Sequence, residues 1–528
     1  MGSCRTGQGM VMTEAALLKD LAGSEAVFFF GSVAVERGGV TRAVLSRMQL
    51  FVEQGIKVRL LLSAHRFRED AEEAELRRIW KLPSSVEFRY FWREAIPGGA
   101  TAGALKPGAD SVTEGGLTTF PPAPWGTGTV VRFYRDGLLL KNKFFSRTGR
   151  LYRIDHVDSA RRATSREHYD GANRLIFIDQ INPATNKAIL RWYFDRSGSC
   201  WLTIWLNNAG REGEAVVHRP TPVAYADFGQ LFAQWADQIL AESDSPVIFS
   251  DARVWDRAVL SVQHPGARRV AVLHNCHTAK PYRATDPTRS TWRVFADNVE
   301  DFDAVVALTH RQRDHLVERF GASNVNVINH PAHPANIKRV PRRPARLIAI
   351  ARHEYQKRLD HAIRAFGIAA EKVPEARFDI YGTGPKTARL QALVRDLGLA
   401  DRVTLNGFTR KPLEEFATSQ ATVLSSWYEG FPLVLTEAMG VGTPFVAYDI
   451  NYGPAEVIRD GVDGILVPPG DIAAMGAAIA KVLSDPDYAR GLSERALEVG
   501  TRFSEQRWAA EWTSLYTTLV RRSEEVGL

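Results

Sequence analysis

An α/β fold of two doubly wound units, with an antiparallel β insertion in the first, is what this sequence predicts. Three observations predict it. Short apolar runs alternate with amphipathic helical stretches near both ends of the chain. From about residue 86 to 222 that alternation gives way to strands divided only by turns. A Pro-rich stretch, residues 331–344, then sets off the last unit. At ~100–200 residues per domain, 528 residues suggest three domains, and a hydrophobic share of 45% can fill more than one core.

The elements follow in order. Residues 26–31 read as a buried strand, 32–39 as a loop, 40–54 as a helix and 57–62 as a second strand. Residues 98–125, rich in Gly, Pro, Ser and Thr, read as a mobile loop. Strands are expected at 130–134, 149–157, 174–180, 189–195 and 200–207, forming a meander. Alternation resumes with a helix at 226–241 and strands at 246–250, 269–274, 304–308 and 325–328. The last unit has strands at 346–351, 377–381, 403–405, 421–425, 444–448 and 464–467 with helical segments between them. The expected division is therefore 25–85 and 223–335 for the first unit, 86–222 for the insertion and 336–505 for the second unit. Residues 506–528 form a packing helix with Trp508, Trp512, Leu515 and Leu519 on one stripe.

Composition narrows the function classes. Three cysteines, Cys4, Cys200 and Cys276, make neither a disulfide framework nor a CxxC metal site. No apolar run reaches the ~18–20 residues of a membrane span, and the first residues lack a signal-peptide pattern. The expected location is the cytoplasm, with peripheral attachment to the inner face of the membrane left open. Met1-Gly2-Ser3-Cys4-Arg5-Thr6 fits a loose lipidation pattern and equally a flexible start. Residues 126–222 hold 16 Lys and Arg against 9 Asp and Glu, a surplus equal to the whole chain's net charge of +7. Such a segment suits a polyanion or an anionic membrane; a solvated basic face is the plain alternative.

Two constellations in the last unit carry chemistry. Tyr428-Glu429-Gly430-Phe431-Pro432-Leu433 leads from a strand into a helix that also carries Glu437. The free N–H groups at such a helix start suit a diphosphate. Two carboxylates beside it suit hydroxyls, those of a sugar for Glu429 and of a ribose for Glu437. Arg352-His353-Glu354-Tyr355-Gln356-Lys357 follows the unit's first strand, so both cations point toward the ligand crevice. Arg352 and Lys357 can neutralise a departing diphosphate.

The Glu429-x7-Glu437 spacing, with Arg352-x4-Lys357 upstream, resembles glycosyltransferase family four, the retaining GT-B enzymes. The resemblance covers about residues 346–485 and takes in Gly382-Thr383-Gly384 and Asn406-Gly407-Phe408. It implies two Rossmann-like domains facing a cleft, a nucleotide-sugar donor, and donor contacts from Gly384 and Phe408. Tyr448-Asp449-Ile450-Asn451-Tyr452-Gly453-Pro454 and the β insertion look like the teichoic-acid α-glycosyltransferase branch, which acts on poly(glycerol phosphate) or poly(ribitol phosphate). In the first unit, Gly38-Gly39-Val40-Thr41 resembles the family's glycine loop, where Gly39 lets the backbone approach the donor phosphate. His274-Asn275-Cys276-His277-Thr278 resembles the family's catalytic histidine segment, with His277 favoured over His274. A zinc pair lacks a third ligand.

The expected reaction moves glucose or N-acetylglucosamine from a UDP-sugar to a hydroxyl of a cell-surface polymer. Glu429, Arg352, Lys357 and His277 are the expected catalytic group. Gly39, Gly384, Phe408, Gly430, Phe431, Pro432, Leu433 and Glu437 are expected to bind the donor, and Arg132, Arg135, Lys141 and Lys143 the acceptor. No metal or cofactor is expected, because Asp301-Phe302-Asp303 precedes a strand and Asp485-Pro486-Asp487 sits at a helix end. The rivals are a protein O-glycosyltransferase of the same family and a non-catalytic GT-B binding subunit. Expected partners are a nucleotide sugar and an anionic polymer or protein acceptor, with self-association through the insertion left open and no nucleic acid.

Overall fold

The computed structural model describes residues 21, 23–31, 39–63, 69–96, 103–120, 122–170, 172–218, 220–332 and 341–526. The lipidation pattern, Gly38 and much of the Pro-rich stretch lie outside the described residues.

Both doubly wound units are present. The N-terminal sheet runs Val325–Val327, Ala304–Ala307, Arg268–Leu273, Ser245–Ser250, Ser24–Phe30, Lys57–Leu62, Glu87–Tyr90. Every neighbouring pair in it is parallel. Its two central strands, Ser24–Phe30 and Ser245–Ser250, are buried almost throughout because helices cover both faces. The C-terminal sheet runs Val403–Gly407, Arg377–Tyr381, Arg346–Ile350, Ala421–Leu424, Phe445–Tyr448, Gly464–Val467, again all parallel. In each sheet the strand order reverses once. The reversal lies between Ser24–Phe30 and Ser245–Ser250 in the first, and between Arg346–Ile350 and Ala421–Leu424 in the second. Loops leaving neighbouring strands at a reversal part to opposite sides and leave a crevice.

The insertion is an antiparallel meander, from Gly128–Arg135 through eight further strands to Val223–Tyr225. It begins later than residue 86. Glu87–Tyr90 pairs in parallel with Lys57–Leu62, with Tyr90 buried, so this strand belongs to the first unit. The 98–125 segment also differs from the loop expected of it. Ala104–Leu105, Thr118–Thr119 and Ala123–Trp125 each pair with a meander strand. Their side of the sheet shares one core, with Ala109 and Leu117 packed on Val131, Phe133 and Ile154.

The meander's last strands dock on the first unit. Tyr193, Leu202 and Ala215 join Phe91, Trp92 and the Phe228–Leu240 helix in one cluster. That helix buries Phe228, Leu231, Phe232 and Trp235, an i, i+3, i+4, i+7 stripe, and Asp227 caps it by accepting from the Gln230 N–H. The terminal helix Glu505–Val526 packs on the N-terminal unit, tying the chain's end to its beginning. Tyr516 lies 4.9 Å from Phe51, and Trp512 6.0 Å from Phe249. Trp512, Tyr516, Leu519 and Val520 are the buried stripe, while Trp508 and Leu515 are only partly covered. Among the described residues no helix is long and apolar enough to cross a membrane.

Candidate active site

The two loops at the C-terminal reversal are stitched to each other. The Ser425 hydroxyl donates to the Lys357 and Arg358 carbonyls, both at 2.9 Å. The Trp427 N–H donates to the Gln356 carbonyl at 2.8 Å, and Gln356 Nε2 to the Tyr428 carbonyl at 2.9 Å. This framework sets Lys357 Nζ 2.7 Å from Glu429 Oε1. The Glu429 backbone is held from a third side. Its N–H donates to the Asn451 carbonyl and its carbonyl accepts from the Tyr452 N–H, both at 3.1 Å. A carboxylate on a side chain only 9% exposed is thereby fixed beside an ammonium at the mouth of a parallel sheet.

Gly430, Phe431, Pro432 and Leu433 carry the chain into the Leu433–Gly440 helix, which no side chain caps. Its first-turn N–H groups suit an anion, and its dipole favours one. Gly39 opens the helix Gly39–Glu53 on the opposite domain, and a Cβ there would lie 3.2 Å from Leu433 Cδ1. Two helix starts thus face each other across the cleft. Gly430 meets the other wall. A Cβ on it would sit 2.3 Å from the His274 carbonyl oxygen. Phe431 is buried, with His330 and Phe503 rings edge-on to it.

The other expected residues divide. Glu437 pairs across the cleft with Arg42, a residue sequence reasoning missed. Arg352 is two-thirds exposed and pairs with Glu354 at 2.7 Å, so it stands at the mouth and does not touch Glu429. Gly384 lies against the His353 backbone, where a Cβ would be 2.6 Å from the carbonyl oxygen. Phe408 ends the Val403–Gly407 strand largely exposed.

The preference between the two histidines reverses. His277 has no exposed surface, and its Nδ1 lies 3.4 Å from the Tyr452 hydroxyl, which also lies 2.9 Å from His315 Nδ1. Burial, with Arg319 and His315 near, pushes the His277 pKa down to about 4, so it is neutral at pH 7. A ring enclosed behind Tyr452 braces that tyrosine and has no face toward the cleft. His274 directly follows the Arg268–Leu273 strand, its carbonyl meets Gly430, and its Nε2 lies 2.7 Å from Asp251 Oδ1. Asp251 also pairs with the buried Arg47, whose guanidinium packs on Phe28, Phe249 and Trp512. Burial acts to raise the Asp251 pKa, but Arg47 and His274 outweigh it and the pKa is lowered. His274 is thus held by an ionised carboxylate at the N-terminal reversal.

The acceptor group also changes. Lys143 is fully buried. Its Nζ lies 2.7 Å from Glu114 and donates to the Ala109 and Ser111 carbonyls at 2.6 and 2.9 Å. Lys141 reaches the same carboxylate at 2.6 Å. These lysines hold the 104–120 segment on the meander, so neither is free to meet a polymer. Arg132 is half-buried and Arg135 exposed on the neighbouring strand.

Residues 335–499 match the family model described as glycosyl transferases group 1. An exopolysaccharide phosphotransferase of Streptomyces coelicolor is 39% identical over 226 residues, 42% of this chain and 24% of that protein. Poly(glycerol-phosphate) alpha-glucosyltransferase of Bacillus subtilis is 26% identical over 381 residues, 68% of this chain and 55% of that protein. The chain thus spans about a quarter and about half of the lengths of these two relatives. In fold it is similar to S. aureus TarM, solved with fondaparinux, α-GlcNAc-glycerol and UDP. The TM-score is 0.78 at 19% identity, over 94% of this chain and 99% of TarM. Residues 335–499 thus resemble glycosyl transferases group 1, set in a chain with the two-domain GT-B fold.

Proposed function

We propose that this chain is a retaining glycosyltransferase that moves glucose or N-acetylglucosamine from a UDP-sugar to a hydroxyl of a polyol-phosphate polymer. The observation that carries the reading is the Lys357–Glu429 pair in the loops beside the uncapped Leu433 helix start, which Gly39 of the other domain meets. A diphosphate at the Leu433 helix start draws Lys357 onto its oxygens, and Arg352 closes over it from the mouth. Both stabilise charge as the bond from the sugar C1 to the phosphate oxygen breaks and its electrons pass to UDP. Glu429, released from Lys357, accepts hydrogen bonds from the donor sugar, and Glu437, released from Arg42, from the ribose. The acceptor oxygen bonds to C1 on the face that UDP leaves, and its proton passes to the departing phosphate. The TarM complex, with UDP and α-GlcNAc-glycerol, and the B. subtilis glucosyltransferase support donor and acceptor class. A UDP-sugar donor places the work on the cytoplasmic side of the membrane.

The test is transfer to a glycerol-phosphate oligomer from a panel of UDP-sugars, with and without EDTA. UDP release from one donor, unaffected by EDTA, with an α anomeric coupling in the product, is expected. A β product, or no release from any donor, overturns the reading. Arg132 and Arg135 are the acceptor contacts we infer on the insertion. Exposed charge contacts contribute under ~1 kcal/mol each, so converting both to glutamine should raise acceptor KM about fivefold to tenfold. Donor hydrolysis should not change, and an equal fall in donor hydrolysis would remove the acceptor role.

A further inference from the structure

A cavity of about 250 Å³ opens beside the donor cleft, within the C-terminal domain. Tyr355, Arg358, Arg364, Lys386, Arg389 and Trp427 line it, whereas Lys357 and Glu429 do not. Its inner wall is a stack of side chains. The Arg358 guanidinium lies 3.7 Å over the Trp427 ring, and Tyr355 stacks on the same ring at 6.3 Å. Arg358 adopts a left-handed conformation (φ 43°) at the start of the Leu359–Lys372 helix, which no side chain caps, and Leu359 and Asp360 bring that first turn to the wall.

The charge of the cavity is unbalanced. Four Arg and Lys side chains face two carboxylates, Glu354 and Asp360, and Glu354 is already bound to Arg352. Among the described residues Arg364, Lys386 and Arg389 have no carboxylate partner. The Trp427 indole N–H is buried with no acceptor. Cations that repel one another around a concave space are the complement of an anion rich in acceptor oxygens. The volume lies below the ~300 Å³ at which pockets begin to take drug-sized ligands. It suits a phosphate with a short polyol and not a second nucleotide.

The position favours the acceptor. Tyr355 precedes Gln356 and Lys357, and Trp427 precedes Tyr428 and Glu429, so both rings flank the catalytic pair. Lys280 of the N-terminal domain lies over both rings, at 5.8 and 5.7 Å, which puts the cavity at the cleft edge. We propose that the cavity is a phosphate subsite, holding a phosphodiester of the acceptor next to the hydroxyl being glycosylated. This assignment rests on the polyol-phosphate reading above. The recognised chemistry is a phosphate ester, and its two sources are the polymer and a free small phosphate.

The experiment titrates the full chain with sn-glycerol 3-phosphate by calorimetry, with UDP saturating so that the donor site is filled. Wild type should bind saturably, and the exposed pair R364Q/R389Q should bind about tenfold more weakly or not at all, with UDP affinity unchanged. No saturable binding by wild type, or equal binding by the variant, overturns the subsite. Acceptor KM then separates the sources. A rise of fivefold or more at steady donor hydrolysis assigns the polymer, whereas lost binding with unmoved acceptor KM assigns a free phosphate ester. If no polyol-phosphate polymer is a substrate, the function reading fails while the titration still reads the site.

Discussion

Replacing Glu429 with glutamine is expected to slow transfer by about 10²–10³-fold while UDP binds at least as tightly as before. The reason lies in the 2.7 Å pair with Lys357. That ammonium has two competing anions, the Glu429 carboxylate and the donor diphosphate. Glutamine removes the first, so Lys357 is freer to meet the second. The lost function is different in kind. A buried carboxylate accepts hydrogen bonds far more strongly than an amide does, and the sugar gathers positive charge as the leaving group departs. Removing one such preorganised charge costs roughly 3–4 kcal/mol in the transition state, which is the stated fold-loss. Calorimetric UDP affinity and single-turnover transfer separate the two effects. If UDP binding collapses in step with turnover, Glu429 serves only to hold Lys357 and the loop, and its placement on the sugar is wrong.

What could be read from the sequence, and what could not, follows from the range of the contacts. Glu429 was legible because the strand Ala421–Leu424, the loop and the helix Leu433–Gly440 lie within twenty residues. Lys357 was legible because it follows the neighbouring strand of the same sheet, and parallel sheets collect such loops at one edge. Arg42 was not, because it is 395 residues from Glu437 and only domain approach joins them. The two histidines could not be told apart for another reason. An extended segment turns successive side chains to opposite sides, and the spacing of His274 and His277 does not say which side is cleft. Asp251 says it, and that contact crosses between strands. The insertion's charge was counted correctly and read too simply. Glu114, outside the counted segment, pairs with both Lys141 and Lys143, and Asp155 and Asp179 face Arg166 and Arg191 within it. Formal charge sums over residues; a binding surface depends on which charges are left without partners.

The second large effect is expected from the smallest substitution. Gly430→Ala should lower kcat about 10²-fold, change UDP affinity less than threefold, and lower Tm by no more than about 4 °C. The added Cβ would lie 2.3 Å from the His274 carbonyl oxygen and 2.8 Å from the Asn275 nitrogen. Both are backbone atoms anchored to the end of a central strand of the other domain, so no rotamer relieves the overlap. The domains must part, or the Glu429 loop must shift, by an amount of the order of 1 Å. A displacement of that size misaligns the donor C1 and the acceptor oxygen, which costs ~10² in rate. The main apolar clusters of the two domains are separate from this contact, so most of the folding energy is untouched. UDP stays bound because Lys357 and the Leu433 helix start move with the loop's own domain. Gly440→Ala is the control. It closes the same helix, nothing lies within 4 Å of its added Cβ, and alanine there should be neutral in rate and neutral or slightly favourable in stability. Wild-type turnover by Gly430→Ala would mean that transfer does not need the walls to meet at His274. Equal damage from both substitutions would place the defect in the helix and not in the approach of the domains.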